Sequence, residues 1–255
     1  LAIWENPEAL LICNGYKDET FIRLALMSQK LGKKVFIVVE RPSELEIIDR
    51  VAKEINIKPN IGLRIKLISS GEGRWAESGG EYSKFGLNSM ELIDALDFAE
   101  KRGIKDCIRL IHFHLGSQIT NIRRIKNSLK EVGRFYAEFR ELGFPIDYID
   151  VGGGLGVDYD GSRSTYASST NYSVQEYAND VVYHILESCQ KENLPHPNII
   201  SESGRAMTAY HSILVFDVLD VTSFPKWNEE VKIPKDAPEI VTEIYDVLKN
   251  TSNKN

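Results

Sequence analysis

Cysteine is scarce in this 255-residue chain: Cys13, Cys107 and Cys189 stand far apart and form no C-x-x-C pair. That excludes a disulfide framework and a structural zinc knuckle, and a reducing, cytoplasmic compartment is expected. Runs of lysine and arginine are also missing, and the formal net charge is −6. Neither a nucleic acid nor an anionic membrane is therefore expected as main partner. No apolar run approaches the roughly 20 residues that cross a bilayer, and no charged-then-apolar leader opens the chain. There is no internal repeat. The chain opens on Leu1 rather than methionine, from which a missing upstream part is expected.

What is present is a hydrophobic share of 42%, enough to bury a core. β-branched runs recur at 9–13, 35–39, 61–67, 107–113, 148–151 and 198–202, and read as strands covered on both faces. Helical patterns separate them, with caps expected at Ser43 (with Glu46), Asn88 (with Glu91) and Ser173 (with Glu176), and stops at Gly32, Gly103 and Gly143. Strict alternation predicts right-handed βαβ units and a parallel sheet, either an open doubly wound one or part of a (β/α)8 barrel. Asn14, Arg64 with Lys66, His112 with His114, Gly152–Gly154, and Glu202 with Arg205 all fall near C-terminal strand ends, which favours the barrel. Only six strands can be counted, so the barrel is incomplete by two.

The expected organisation is a partial barrel over 1–212, a strand over 213–225 leading toward a β domain, and a helical segment beginning at 226–255, with one weak helix carrying Ile240, Ile244 and Val247. The polar stretches 69–83 and 161–173 are candidate lids.

Three motifs carry chemistry. In "VGGGLGVDYDG" a strand runs into Gly152, Gly153 and Gly154, a loop that fails both familiar phosphate fingerprints. An anion cradle and a plain tight turn fit it equally well, and Asp158 and Asp160 read as solvated carboxylates before cation ligands. In "HFHLGSQ", His112 and His114 share a strand face. They suit buried packing, a metal, or one imidazole lying flat on a planar cofactor. A zinc hydrolase would need further histidines at strand ends, where His184, His196 and His211 do not fall. In "SESGRA", Glu202 leaves a strand and Arg205 follows beyond a glycine, offering a carboxylate for a ring nitrogen and a guanidinium for a phosphate. Lys84 and Phe85 of "SKFGL" and Trp75, inside a glycine-rich loop, read as structural.

Together, "ICNGYKD", "GGEYSKFGL", "HFHLGSQ", "DVGGGLGVDYDG" and "ESGRA" resemble, in order from about Leu11 to about Val221, the arginine decarboxylases of the alanine-racemase-like class of pyridoxal-phosphate enzymes. Diaminopimelate and ornithine decarboxylases share a looser version of the pattern. The resemblance implies that His114 stacks on pyridoxal 5'-phosphate, that Ser117 lies by its phosphate, that Gly152, Gly153, Gly154, Gly204 and Arg205 cradle the phosphate, and that Glu202 holds the pyridine nitrogen. It also implies L-arginine as substrate, agmatine and carbon dioxide as products feeding polyamine synthesis, magnesium as a further family cofactor with no residue assigned, and a homodimer or tetramer when full length. The family's covalent lysine and its cysteine-aspartate pair have no counterpart here, so a central fragment without activity of its own is expected. The alternatives are a diaminopimelate- or ornithine-type decarboxylase and a noncatalytic decarboxylase-like regulatory or binding protein.

Overall fold

The computed structural model describes residues 6, 8–68, 83–222, 232–234 and 236–250. Six parallel strands, β1 (Leu10–Cys13), β2 (Lys34–Val39), β3 (Ile61–Arg64), β4 (Ile108–His112), β5 (Tyr148–Asp150) and β6 (Asn198–Ile200), form one sheet in the order of the chain. Between them run α1 (Glu19–Lys30), α2 (Pro42–Glu54), α3 (Ser89–Arg102), α4 (Ile122–Glu141) and α5 (Val174–Lys191). Sequential order with right-handed crossovers puts every helix on one face and leaves the other concave.

Two contacts establish the curl. Phe36 of β2 and Tyr148 of β5, with two strands between them, bring their ring centroids to 5.1 Å. Asn14, just after β1, donates its amide to the Glu202 carboxylate beyond β6. In a flat sheet those edge strands would stand roughly 24 Å apart, at about 4.8 Å per step. The sheet is thus a curled part of a (β/α)8 barrel. Residues of one parity, among them Ile37, Leu63, Ile111 and Ile149, join the helices in the main core, while Phe36, Val38 and Leu110 form a second cluster with Leu10, Ile12, Tyr148 and Ile200. Gly62 lines that concave face because a Cβ there would come within 2.7 Å of Leu110 Cδ2.

Asn88 and Ser173 cap α3 and α5 with reciprocal bonds from Glu91 and Glu176, and Gly32, Gly103 and Gly143 follow helix ends with positive φ. Ser43 is not a cap. Pro42, whose ring presets φ, opens α2 two residues earlier with Arg41 at the boundary, and Glu44 supplies the acceptor by taking the Glu40 N–H at 2.7 Å. Several strands are shorter than expected: β3 ends at Arg64, Cys107 closes a 3-10 turn before β4, and β6 ends at Ile200.

The chain divides into Leu1–Ser212 and Ile213–Asn255. Residues 213–222 carry no ladder and are not the expected strand; a strand needs a neighbour to take its N–H and C=O groups, and none pairs there among the described residues. In the second unit, α7 (Glu239–Asn250) is a 12-residue helix whose Ile240, Ile244, Val247 and Leu248 are exposed. Most of the 69–83 stretch, with Trp75, lies outside the described residues. The later half of 161–173 is anchored rather than free, since Ser169, Thr170 and Tyr172 are buried and the Tyr172 hydroxyl donates to Ile119 O at 2.6 Å.

Candidate cofactor site

The concave face turns polar at the C-terminal ends of the strands. Two residues beyond each inner apolar or glycine position comes a polar one: Asn14, Glu40, Arg64, His112, Asp150 and Glu202. The Arg64 Nη1 donates to both Glu40 oxygens at 3.0 and 3.2 Å, in a buried pair. His112 and Asp150, partners in the β4–β5 register, are 1% and 0% exposed. Their Nδ1 and Oδ2 face each other at 3.1 Å, and neither atom has another hydrogen-bond partner.

His114 lies two residues past β4. Its Nδ1 accepts the Gly153 N–H at 3.2 Å, so that nitrogen is unprotonated. Burial first, then the Arg64 and His112 charges, push its pKa down to about 4, leaving a neutral ring at neutral pH. The glycines beneath it are sterically required. Gly152 has φ of +64°, and a Cβ would fall 2.1 Å from the Phe113 carbonyl oxygen; one on Gly153 would press to 3.1 Å from His114 Cε1 and 3.3 Å from Glu202 O. Asp150 accepts the Gly152 N–H at 2.9 Å, and the Glu202 N–H donates to Gly152 O at 2.9 Å, which ties the β5 and β6 ends together.

The half-buried Glu202 carboxyl has its pKa raised, by burial first and then by the neighbouring Asp150 charge, against lowering by His112 and Asn14. Across the glycine floor, Arg205 lies in the first turn of α6 (Gly204–Thr208). Its Nε and Nη2 reach Ser117 Oγ at 3.2 and 3.0 Å, and its Nη1 reaches the Tyr159 hydroxyl at 3.0 Å. All of these groups are exposed.

The expected residues His114, Ser117, Gly152, Gly153, Gly154, Glu202, Gly204 and Arg205 thus converge on one mouth. The second histidine of a metal pair does not join: the donor atoms within 4.8 Å of one another belong to His112, Asp150 and Glu202, without His114. Asp158 and Asp160 spend their oxygens on Ser169, Ser162 and Ser168 of the same loop. Lys84 is exposed beside Phe85, which packs on Tyr16. The buried Lys17 Nζ pairs with Glu44 at 3.4 Å. Sequence reasoning missed Asp150 and Tyr159. Asp150 was within reach of the strand parity, lying two residues before Gly152, whereas nothing in "DYDG" marks Tyr159 as a partner of Arg205.

A curled parallel α/β sheet with a glycine floor, a ring-sized imidazole, a carboxylate and an exposed guanidinium at its C-terminal mouth is an arrangement that suits a phosphate-bearing aromatic cofactor in a barrel-type domain. The family model for the pyridoxal-dependent decarboxylases, pyridoxal binding domain, matches residues 1–209, and the chain belongs to that family. It is 54% identical to a biosynthetic arginine decarboxylase of Bacteroides thetaiotaomicron over 97% of this chain and 39% of that protein. A Phocaeicola vulgatus protein of the same name is 52% identical over 98% and 40%. The crystal structure of a biosynthetic arginine decarboxylase from Campylobacter jejuni superposes with a TM-score of 0.73 at 35% identity, covering 98% of this chain and 41% of that one. A Helicobacter pylori diaminopimelate decarboxylase gives 0.61 at 26% identity over 78% and 45%. The chain spans about two-fifths of the length of the curated relatives it matches.

The residues present fit pyridoxal phosphate. A Cβ on Gly152 would clash with backbone and one on Gly153 would crowd His114, the Arg205 fork and Ser117 hydroxyl face outward, and Asn14 Oδ1, next to the Glu202 carboxylate, is buried without a partner.

Proposed function

We propose that this chain is the cofactor-holding part of an arginine decarboxylase that converts L-arginine to agmatine and carbon dioxide, acting within a longer protein. The observation that carries the reading is the meeting of Glu202, neutral His114 and the Arg205–Ser117 pair around one glycine floor, from segments up to 88 residues apart. Arg205, Ser117 and the backbone N–H groups of Gly154 and Gly204 hold the phosphate, with Tyr159 orienting the Arg205 fork. Gly152 and Gly153, whose N–H groups go to Asp150 and His114, contribute to the cradle by leaving the space that side chains would fill. His114, uncharged, offers a flat apolar face to the ring, and Glu202 faces the ring nitrogen. When bound, pyridoxal phosphate supplies the sink for the electron pair that carbon dioxide leaves behind, and a carboxylate that keeps the ring nitrogen protonated sustains that sink.

The covalent lysine is assigned to a part of the protein outside this chain. The Lys17 ammonium is committed to Glu44, and the Lys84 ammonium lies over the Phe85 ring at 5.0 Å. We assign residues 213–225 to the passage toward a further domain and 226–255 to the start of a helical insertion. A homo-oligomer in a reducing cytoplasm is the expected setting of the full protein. Among the described residues no helix is long and apolar enough to cross a membrane.

The test is carbon dioxide release by the complete protein from arginine, ornithine and diaminopimelate in parallel. Preference for arginine by at least about a hundredfold, on the order of 2.7 kcal/mol in kcat/KM, supports the reading. Preference for another of the three overturns the substrate, and release from none with no bound cofactor favours a binding subunit.

A further inference from the structure

The six polar residues at the mouth form three couples. Glu40 pairs with Arg64 across β2 and β3 at 3.0 Å, His112 faces Asp150 across β4 and β5 at 3.1 Å, and Asn14 binds Glu202 between β1 and β6. The first couple is neutral in sum. Asn14 brings a donor but no charge. Whether Glu202 is ionised therefore depends on the middle couple, because the fully buried Asp150 carboxylate lies against it, and two touching carboxylates retain one proton unless a cation intervenes.

From this arrangement we infer that His112 is a positioning residue: as an imidazolium against Asp150 it neutralises that carboxylate, so that Glu202 alone carries the negative charge turned toward the mouth. This rests on the reading of Glu202 as the partner of the pyridine nitrogen and extends it to a residue that touches neither cofactor nor substrate. The groups facing Glu202 are Asn14 from β1, His112 from β4 and Asp150 from β5. Arg64 and Glu40 stand behind them, committed to each other, and His114, held near a pKa of about 4, is neutral. The couple also explains why a histidine is buried among strands without a backbone partner for Nδ1.

The experiment uses the complete protein in its cofactor-free form. The protonated carboxyl band of Glu202, assigned by its loss in Glu202→Gln, is followed by infrared difference spectroscopy against pH. The dissociation constant for pyridoxal phosphate is measured on the same samples. His112→Asn places an amide nitrogen near the position of Nδ1 and so retains a donor while removing the charge. It should shift the Glu202 midpoint upward by about one to two pH units and weaken cofactor binding at neutral pH by about tenfold or more. Asp150→Asn, which still offers an acceptor to the Gly152 N–H, should shift the midpoint downward. The double variant should return close to wild type in both readouts, a reversal that loss of packing cannot give.

If His112→Asn does not fold, His112→Gln, which also keeps an amide donor and removes the charge, takes its place and the same upward shift of the Glu202 midpoint is required. An unmoved midpoint in the folded variants, or additive losses in the double variant, would overturn the inference while leaving the cofactor reading intact. Failure of the wild-type protein to bind pyridoxal phosphate, with the midpoint shifts observed, would instead sink the cofactor reading and leave the charge arrangement standing.

Discussion

Replacing Gly152 by alanine tests the claim that the glycine floor is set by backbone geometry rather than by chance composition. At φ of +64° an L-residue pays roughly 1–2 kcal/mol for the left-handed region. Its Cβ would also lie 2.1 Å from the Phe113 carbonyl oxygen and 3.1 Å from His114 Cα. Both obstacles are backbone at the end of an interior strand, so relief requires moving β4 or β5, and forced overpacking costs about 1–3 kcal/mol more. The expected loss is about 2–5 kcal/mol. Gly161→Ala is the control: φ is +74° and nothing lies within 4 Å of the added Cβ, so only the backbone cost of roughly 1–2 kcal/mol remains. Gly153→Ala, in ordinary φ, should cost less stability than Gly152→Ala, yet impair cofactor binding by crowding His114 Cε1 and Glu202 O. Urea unfolding of the complete protein, with midpoints and slopes compared across the three variants, is the assay. Equal losses at positions 152 and 161 would refute the steric argument.

Glu44→Gln leaves the Lys17 ammonium, fully enclosed, without its countercharge, and a loss of about 3–5 kcal/mol is expected in the same unfolding assay. His114, held near a pKa of about 4 when folded against 6.5 in a model peptide, takes up its proton in the unfolded chain first. Between those values the unfolded state binds more protons, so stability should rise with pH across that window and level off above it. His114→Phe should flatten that part of the profile when unfolding is measured from pH 4 to 7.5. Arg205→Ala should weaken pyridoxal phosphate binding by about tenfold or more, the order of one charged hydrogen bond, and Tyr159→Phe by less. Fluorescence titration of the cofactor gives both constants, and an effect of Tyr159→Phe exceeding that of Arg205→Ala would reverse the assigned roles.

The barrel was legible because its signals are local. Runs such as VFIVV and CIRLIHF are β-branched and apolar on both faces, and Asn88–Glu91 and Ser173–Glu176 announce their helices through capping chemistry that needs only four residues. The α2 start misled because Ser43–Glu46 has the same pattern, and Pro42 overrode it. Residues 213–222 carry a largely apolar, strand-like sequence, but a ladder depends on a partner that local sequence does not specify. Likewise Glu202 and Arg205 could be picked from their motif, whereas Tyr159 meets Arg205 only because the 156–173 segment is pinned through Gln118 and Tyr172 to the loop after β4.

The deeper regularity is a period of two read across strands rather than along one. Ile12 and Asn14, Val38 and Glu40, Gly62 and Arg64, Leu110 and His112, Tyr148 and Asp150, Ile200 and Glu202 repeat the same step, an apolar or absent side chain followed two residues later by a polar one on the same side. The lower layer fills the concave face, while the upper layer meets the mouth, where low polarity strengthens each charge interaction. Because a slip of one residue moves a side chain to the opposite face, the register that packs Leu110 against Phe36 and Val38 also sets His112 opposite Asp150. Core packing and site electrostatics are therefore one constraint in this sheet: the strand pairing that buries the apolar layer also fixes which charges meet above it.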